Sequence, residues 1–137
     1  MSRKSARETL FKLTYEFCIK GARNEYSLSV LTDGADKEDF SYINECYDGI
    51  ITNYDFLIDK IGNFSQDFAF DRIYKVDLAL LLVAAYEIHF RGDIPASVSA
   101  NEATELSKIY STDKSYSFVN GILASIIKEK NNVSKTD

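Results

Sequence analysis

The chain has 137 residues, a formal net charge of −5, 45% hydrophobic side chains and 27% charged ones. That is about one domain with room for a real core, and no apolar run approaches the roughly 18 residues of a membrane span. One proline and six glycines leave few breaks, which favours long helices over many short strands.

Charge is unevenly placed. Residues 1–23 carry six basic side chains (Arg3, Lys4, Arg7, Lys12, Lys20, Arg23) against Glu8 and Glu16, a local +4. The other 114 residues hold 10 basic and 19 acidic groups, a local −9. Such asymmetry fits an arm for a polyanion on an acidic body, or simply a solvated helix end. The opening "MSRKSAR" lacks the apolar stretch and cleavage site of a secretory leader. Cys18 and Cys46 form no CxxC and are too few for a disulfide framework, as expected of reduced thiols in a cytoplasmic protein.

In chain order, residues 3–20 read as an amphipathic helix with Ala6, Leu10, Leu13 and Phe17 on one face. Arg3, Lys4 and Arg7 fall in its first two turns, where cations oppose the helix dipole and suggest an outside anion. A short helix is expected from Glu25 to Leu31, then the acidic loop "TDGADKED", which supplies an N-cap. Lys37 to Ile61 reads as one regular helix, its stripe running Phe40, Ile43, Tyr47, Ile50, Tyr54, Leu57, Ile61. Asp67 to Arg91, centred on "VDLALLLVAAYEIHF", is apolar nearly all round and reads as the central buried helix.

"RGDIP" is a turn at a helix end, not an adhesion signal. Pro95 opens the next helix, with Ala103, Leu106 and Tyr110 on its inner face. "STDKS" caps the last one. Asn-Gly in "SYSFVNGIL" is a hairpin signal by itself. However, Phe118/Val119, Ile122/Leu123 and Ile126/Ile127 recur at steps of four, which only a helix keeps together. Asn120 and Gly121 are therefore helical, Gly121 permitting close approach of another helix and Asn120 satisfying a backbone group there. The tail "NNVSKTD" is polar and expected to fray. The fold class is all-α, six or seven helices in two three-helix bundles, about 1–63 and 67–130.

Chemistry is sparse. His89 has no ligand partner at metal spacing except Glu87, and there is no phosphate loop or nucleophile elbow. Asp55 and Asp59 read as a solvated face. No enzyme, metal or cofactor is expected. Tyr15, beyond Arg7 on the same helix, joins an aromatic to the cations, the ingredients of single-stranded RNA binding, but is equally a core or rim residue. Phe118 beside Lys114 has the same two readings. Asn101 and Asn120 satisfy interhelical or loop carbonyls, or reach a ligand.

The chain resembles the NusB family of transcription antitermination factors. Four blocks carry the resemblance: "SRKSARETLFKLTYEF", "FDRIYKVDLALLLVAAYEI", "DIPASVSANEATELSKIYS" and "DKSYSFVNGIL". Asn101 and Glu102 belong to the third block, Asn120 and Gly121 to the fourth, as structural motif residues. The resemblance implies a bacterial, cytoplasmic, non-enzymatic adaptor. Such a protein pairs with NusE, a small-subunit ribosomal protein, and binds single-stranded boxA-type RNA. It thereby acts indirectly on the RNA polymerase elongation complex, notably on ribosomal RNA operons, and self-association of the free protein is allowed. Arg3, Lys4 and Arg7 would contact phosphates, Phe118 with Lys114 the bases, and Tyr15 and Asp77 the shared RNA and NusE surface. The acidic body complements a basic ribosomal protein. Three positions depart from the family pattern: Ser5 and Leu82 where relatives often have arginine, and Ala100 where isoleucine is usual. Two other readings stand beside it: a helical protein-interaction module without RNA binding, and a stand-alone relative of the RNA-binding domain of ribosomal RNA methyltransferases.

Overall fold

The computed structural model describes residues 1–65 and 73–136, with side chains to 133. Among the described residues the chain is all-helical, with seven helices. They are α1 (Arg3–Lys20), α2 (Glu25–Leu31), α3 (Lys37–Thr52), α4 (Tyr54–Asn63), α5 (Lys75–Phe90), α6 (Ala96–Tyr110) and α7 (Asp113–Thr136).

Local chemistry explains most boundaries. Ser2, Asn24 and Asp36 each accept a backbone N–H three residues on, capping α1, α2 and α3. Gly21 ends α1 in the left-handed region at φ 77° and donates to the Phe17 carbonyl at 2.8 Å. The expected single helix over 37–61 is two. At Asn53 both the backbone N–H (2.9 Å) and the side-chain amide (2.8 Å) take the Gly49 carbonyl. Asparagine, whose side chain bonds nearby backbone, and the β-branched run Ile50-Ile51-Thr52 before it are weak helix formers and fit a boundary there. The expected start of the central helix at Asp67 lies outside the described residues; α5 begins at Lys75. Helix α7 runs to Thr136 and takes in most of the polar tail "NNVSKTD".

Helix α5 is the axis. Every residue from Asp77 to Ile88 is buried, and α1, α3, α4, α6 and α7 all pack on it. One continuous core results, with Leu10 and Leu13 of α1, Ile43 and Ile50 of α3, and Val119 and Leu123 of α7 fully buried. Phe40 and Gly121 depart from their expected places. Phe40 is 40% exposed, and Tyr42 takes its inward place at 2%. Gly121 admits no close neighbour: a methyl built on it meets nothing within 4 Å, and Asn120 beside it is exposed. The glycine at a close approach is Gly49, where a methyl would overlap the Tyr86 ring.

Candidate nucleic-acid interface

The cationic start of α1 divides in three. Lys4 is exposed. Arg3 is half-buried and sits over the Tyr42 ring, its Cζ 4.2 Å from the centroid. Arg7 faces inward at 4% exposure and is spent on Glu87. Its Nε donates to Glu87 Oε2 at 2.9 Å and its Nη2 to Oε1 at 3.0 Å. Arg7 is therefore not available to a phosphate in this fold, a correction to the expectation for the arm.

Glu87 is fully buried and also accepts from the Tyr42 hydroxyl and from Ser99 Oγ at 2.7 Å. One carboxylate thus ties α5 to α1, α3 and α6. A buried charge survives only when paired and hydrogen-bonded, and here both oxygens are covered. Burial, then the Glu87 charge, pushes the Tyr42 hydroxyl well above the ordinary tyrosine range, so it remains a donor. For Arg7, burial is the largest influence and works against the charge, but the Glu87 hydrogen bond and the surrounding negative charge together outweigh it, leaving the pKa raised. The sequence carries only the two halves of this hub: Arg7 lies three before Leu10 on the core stripe, and a glutamate in an apolar run calls for a cation, but nothing local pairs residues 80 positions apart.

The second predicted group is at the start of α7. Asp77 is buried at 3% exposure and turns its carboxylate inward, accepting from Ser111 Oγ at 2.5 Å and Ser115 Oγ at 2.8 Å. It holds the α6–α7 turn, so it does not display a charge to a partner. Lys114 is exposed, and Phe118, one turn beyond Ser115, is half-buried and packs against the core. Its ring is shared between core and surface, so neither sequence reading alone describes it. Tyr15 is half-buried, 6.4 Å from the Phe11 ring. In the motif of α6, Asn101 is exposed and Glu102 half-buried, while the Asn101 carbonyl accepts from Thr104 Oγ1 at 2.8 Å.

Tyr110 was expected on the inner face of α6. Instead it is 37% exposed, leans across to α1, packs on Phe11 at 5.1 Å and donates its hydroxyl to Glu8 at 2.9 Å. On the same helix Lys108 lies 4.7 Å from the Tyr116 ring centroid. Periodicity could not find this, because it assigns a helix face and not the neighbour across it.

Other conspicuous groups are absorbed locally. In the Arg-Gly-Asp turn Arg91 donates twice to Asp93 at 3.1 Å and once to Glu45 at 3.2 Å. Burial pushes the Cys18 and Cys46 thiols up to about 11 and about 12, which makes them poor nucleophiles. Among the described residues no cluster of histidine, cysteine and acidic side chains could hold a metal ion, and no helix is long and apolar enough to cross a membrane.

His89 stands edge-on to Phe56 at 5.2 Å, with Nε2 buried and unpartnered. Burial first, then Lys60 and Lys130, lowers its pKa below the ordinary 6.5. Its contribution to stability is full above that value and is lost as the pH falls through the lowered folded value. Urea unfolding at about pH 7.5 and about pH 5.5 should show a smaller pH dependence in His89→Phe than in the wild type.

Five helices packed on the buried axis α5, with Tyr110 bridging α6 to Glu8 and Phe11 of α1, define an all-helical module among the described residues. The model of the NusB family matches residues 2–128. The transcription antitermination protein NusB of Clostridium acetobutylicum is 39% identical over 129 residues, covering 93% of this chain and 96% of the relative. That of Finegoldia magna is 38% identical over 136 residues, 98% and 99% of the two chains. This chain belongs to the NusB family. Among solved structures, T. maritima NusB superposes with a TM-score of 0.85 at 30% identity, covering 94% of this chain and 92% of that one. NusB in a complex of antitermination factors NusB and NusE with dsRNA shares the fold at a TM-score of 0.81 and 22% identity, covering 93% and 96%.

Proposed function

We propose that this protein is a transcription antitermination adaptor that binds boxA-type single-stranded RNA together with NusE, notably on ribosomal RNA operons. The observation that carries the reading is the charge split, +4 in residues 1–23 on a −9 remainder, in a chain of the NusB family. A solved structure of the same fold holds NusB and NusE in complex with dsRNA. Lys4 and Arg3 supply phosphate contacts, and Tyr15, Phe118 and Lys114 supply contacts to bases. Arg7 acts from beneath by fixing the helix that carries the first two. The acidic body suits a basic ribosomal protein, through which the adaptor reaches the elongating polymerase in the cytoplasm.

Gel shifts with boxA-like RNA, with and without NusE and over a range of salt, test this. Wild-type affinity should fall linearly with log salt, and Lys4→Ala should flatten the slope by about 0.7, the value for one single-strand phosphate contact. No binding of the RNA in either condition would reject the reading. Binding of NusE alone, unaffected by RNA, would leave the protein-interaction module in its place. The burial of Arg7 is the observation in favour of that alternative.

A further inference from the structure

The α1–α6 seam holds an aromatic side chain that the proposed contacts leave unused. Tyr110 ends α6, and the next residue, Ser111, is bonded to Asp77 near the start of α5. At its other end the Tyr110 hydroxyl reaches Glu8, the neighbour of Arg7, which is bonded to Glu87 near the end of α5. Asp77 and Glu87 stand about 15 Å apart along that helix at 1.5 Å per residue. Tyr110 therefore lies in the interval between the cationic start of α1 and the start of α7.

Three features suit it to receive a flat ring. It is 37% exposed while Phe11 backs it at 5.1 Å. Its hydroxyl is tied to Glu8, so the ring is held at both ends and stacking on it costs little further ordering. Glu8, the acid that would repel a phosphate there, is engaged by Tyr110 and lies 3.8 Å from the exposed Lys12 ammonium. Lys4 and Lys12 are both exposed on α1. A preset aromatic face beside unburied cations is the arrangement on which single-stranded nucleic acids stack.

We infer that Tyr110 is a base-stacking residue, taking an unpaired nucleobase of the bound RNA between the contacts of α1 and those of α7. This rests on the RNA-binding reading above. The opposing view makes Tyr110 only a strut between α6 and α1.

The test uses a fluorescently labelled boxA-like RNA with the wild type, Tyr110→Phe, Tyr110→Leu and Lys4→Ala. Tyr110→Phe should bind within about twofold of the wild type, and Tyr110→Leu about tenfold more weakly with an unchanged salt slope. Lys4→Ala should weaken binding and flatten the slope. If Tyr110→Leu binds like the wild type while Lys4→Ala does not, the stacking role is wrong and RNA binding stands. If the wild type fails to bind, the RNA reading falls and the inference with it. Should Tyr110→Leu lose its helical fold by circular dichroism, photocrosslinking of 4-thiouridine RNA to the wild type decides. A crosslink on the peptide containing Tyr110 supports the inference, and crosslinks confined to other peptides overturn it.

Discussion

Replacing Glu87 by leucine should destabilise the protein by about 3–5 kcal/mol, the usual cost of stranding one charge of a buried pair. Arg7 would keep its guanidinium at 4% exposure with no carboxylate, and the Tyr42 and Ser99 hydroxyls would lose their acceptor. Glu87→Gln should fall between, since it can still accept from the hydroxyls but no longer neutralises Arg7. Removing both charges, as Arg7→Met with Glu87→Leu, should recover much of the loss, because a buried ion pair rarely outperforms apolar side chains of similar volume. With Glu87 intact, Arg7→Lys should still destabilise, since an ammonium cannot bridge both carboxylate oxygens in the plane of a guanidinium fork. Urea midpoints at constant m-value measure each step. A loss below about 1 kcal/mol for Glu87→Leu would mean that the pair is solvated. RNA binding should weaken in the single variants in step with the folded fraction, because Arg7 holds the helix that carries Lys4 and does not reach the strand.

The second large effect is a sign difference between two glycines. Gly49→Ala and Gly121→Ala each gain up to about 1 kcal/mol of helix propensity. At Gly121 nothing opposes the gain, because the new methyl meets open space, so the melting temperature should rise. At Gly49 the methyl overlaps Tyr86, which is 9% exposed and stacked on Phe90 at 5.3 Å. Over-packing of this kind costs about 1–3 kcal/mol, which outweighs the propensity and should lower the melting temperature. Combining Gly49→Ala with Tyr86→Leu should lose less than the two single losses added, since the overlapping ring is gone. A stabilising Gly49→Ala would show that the ring swings aside at no cost.

These two expectations mark the limit of what could be read in one dimension. Gly121 drew notice because Asn-Gly is rare inside a helix, whereas Gly49 sits unremarked between Asp48 and Ile50. Nothing local separates them. Only the helix packed opposite does, and at Gly49 that is α5, through Tyr86. Arg7 shows the same limit. Its place among the arm cations was plain, but its carboxylate partner is 80 positions away. Phe40 and Tyr42 stand two positions apart, about 200° around the helix, so they face nearly opposite sides, and the one whose hydroxyl finds Glu87 goes inward.

By itself the sequence determined that the chain is helical, where most helices begin, and that "VDLALLLVAAYEIHF" forms the buried axis. These follow from caps, from apolar spacing and from the scarcity of glycine and proline, all properties of neighbouring residues. The same local pattern placed the cationic arm and carried the four blocks of the NusB family. Tertiary structure decided which members of that arm face water. Arg7 turned inward to neutralise Glu87, Arg3 settled over Tyr42, and Lys4 stayed exposed. It also withdrew Asp77 from the surface and brought Tyr110 onto the seam. The physical reason is that periodicity reports which side of a helix is buried, whereas charge pairing, steric overlap and ring contacts depend on what another helix brings to that side.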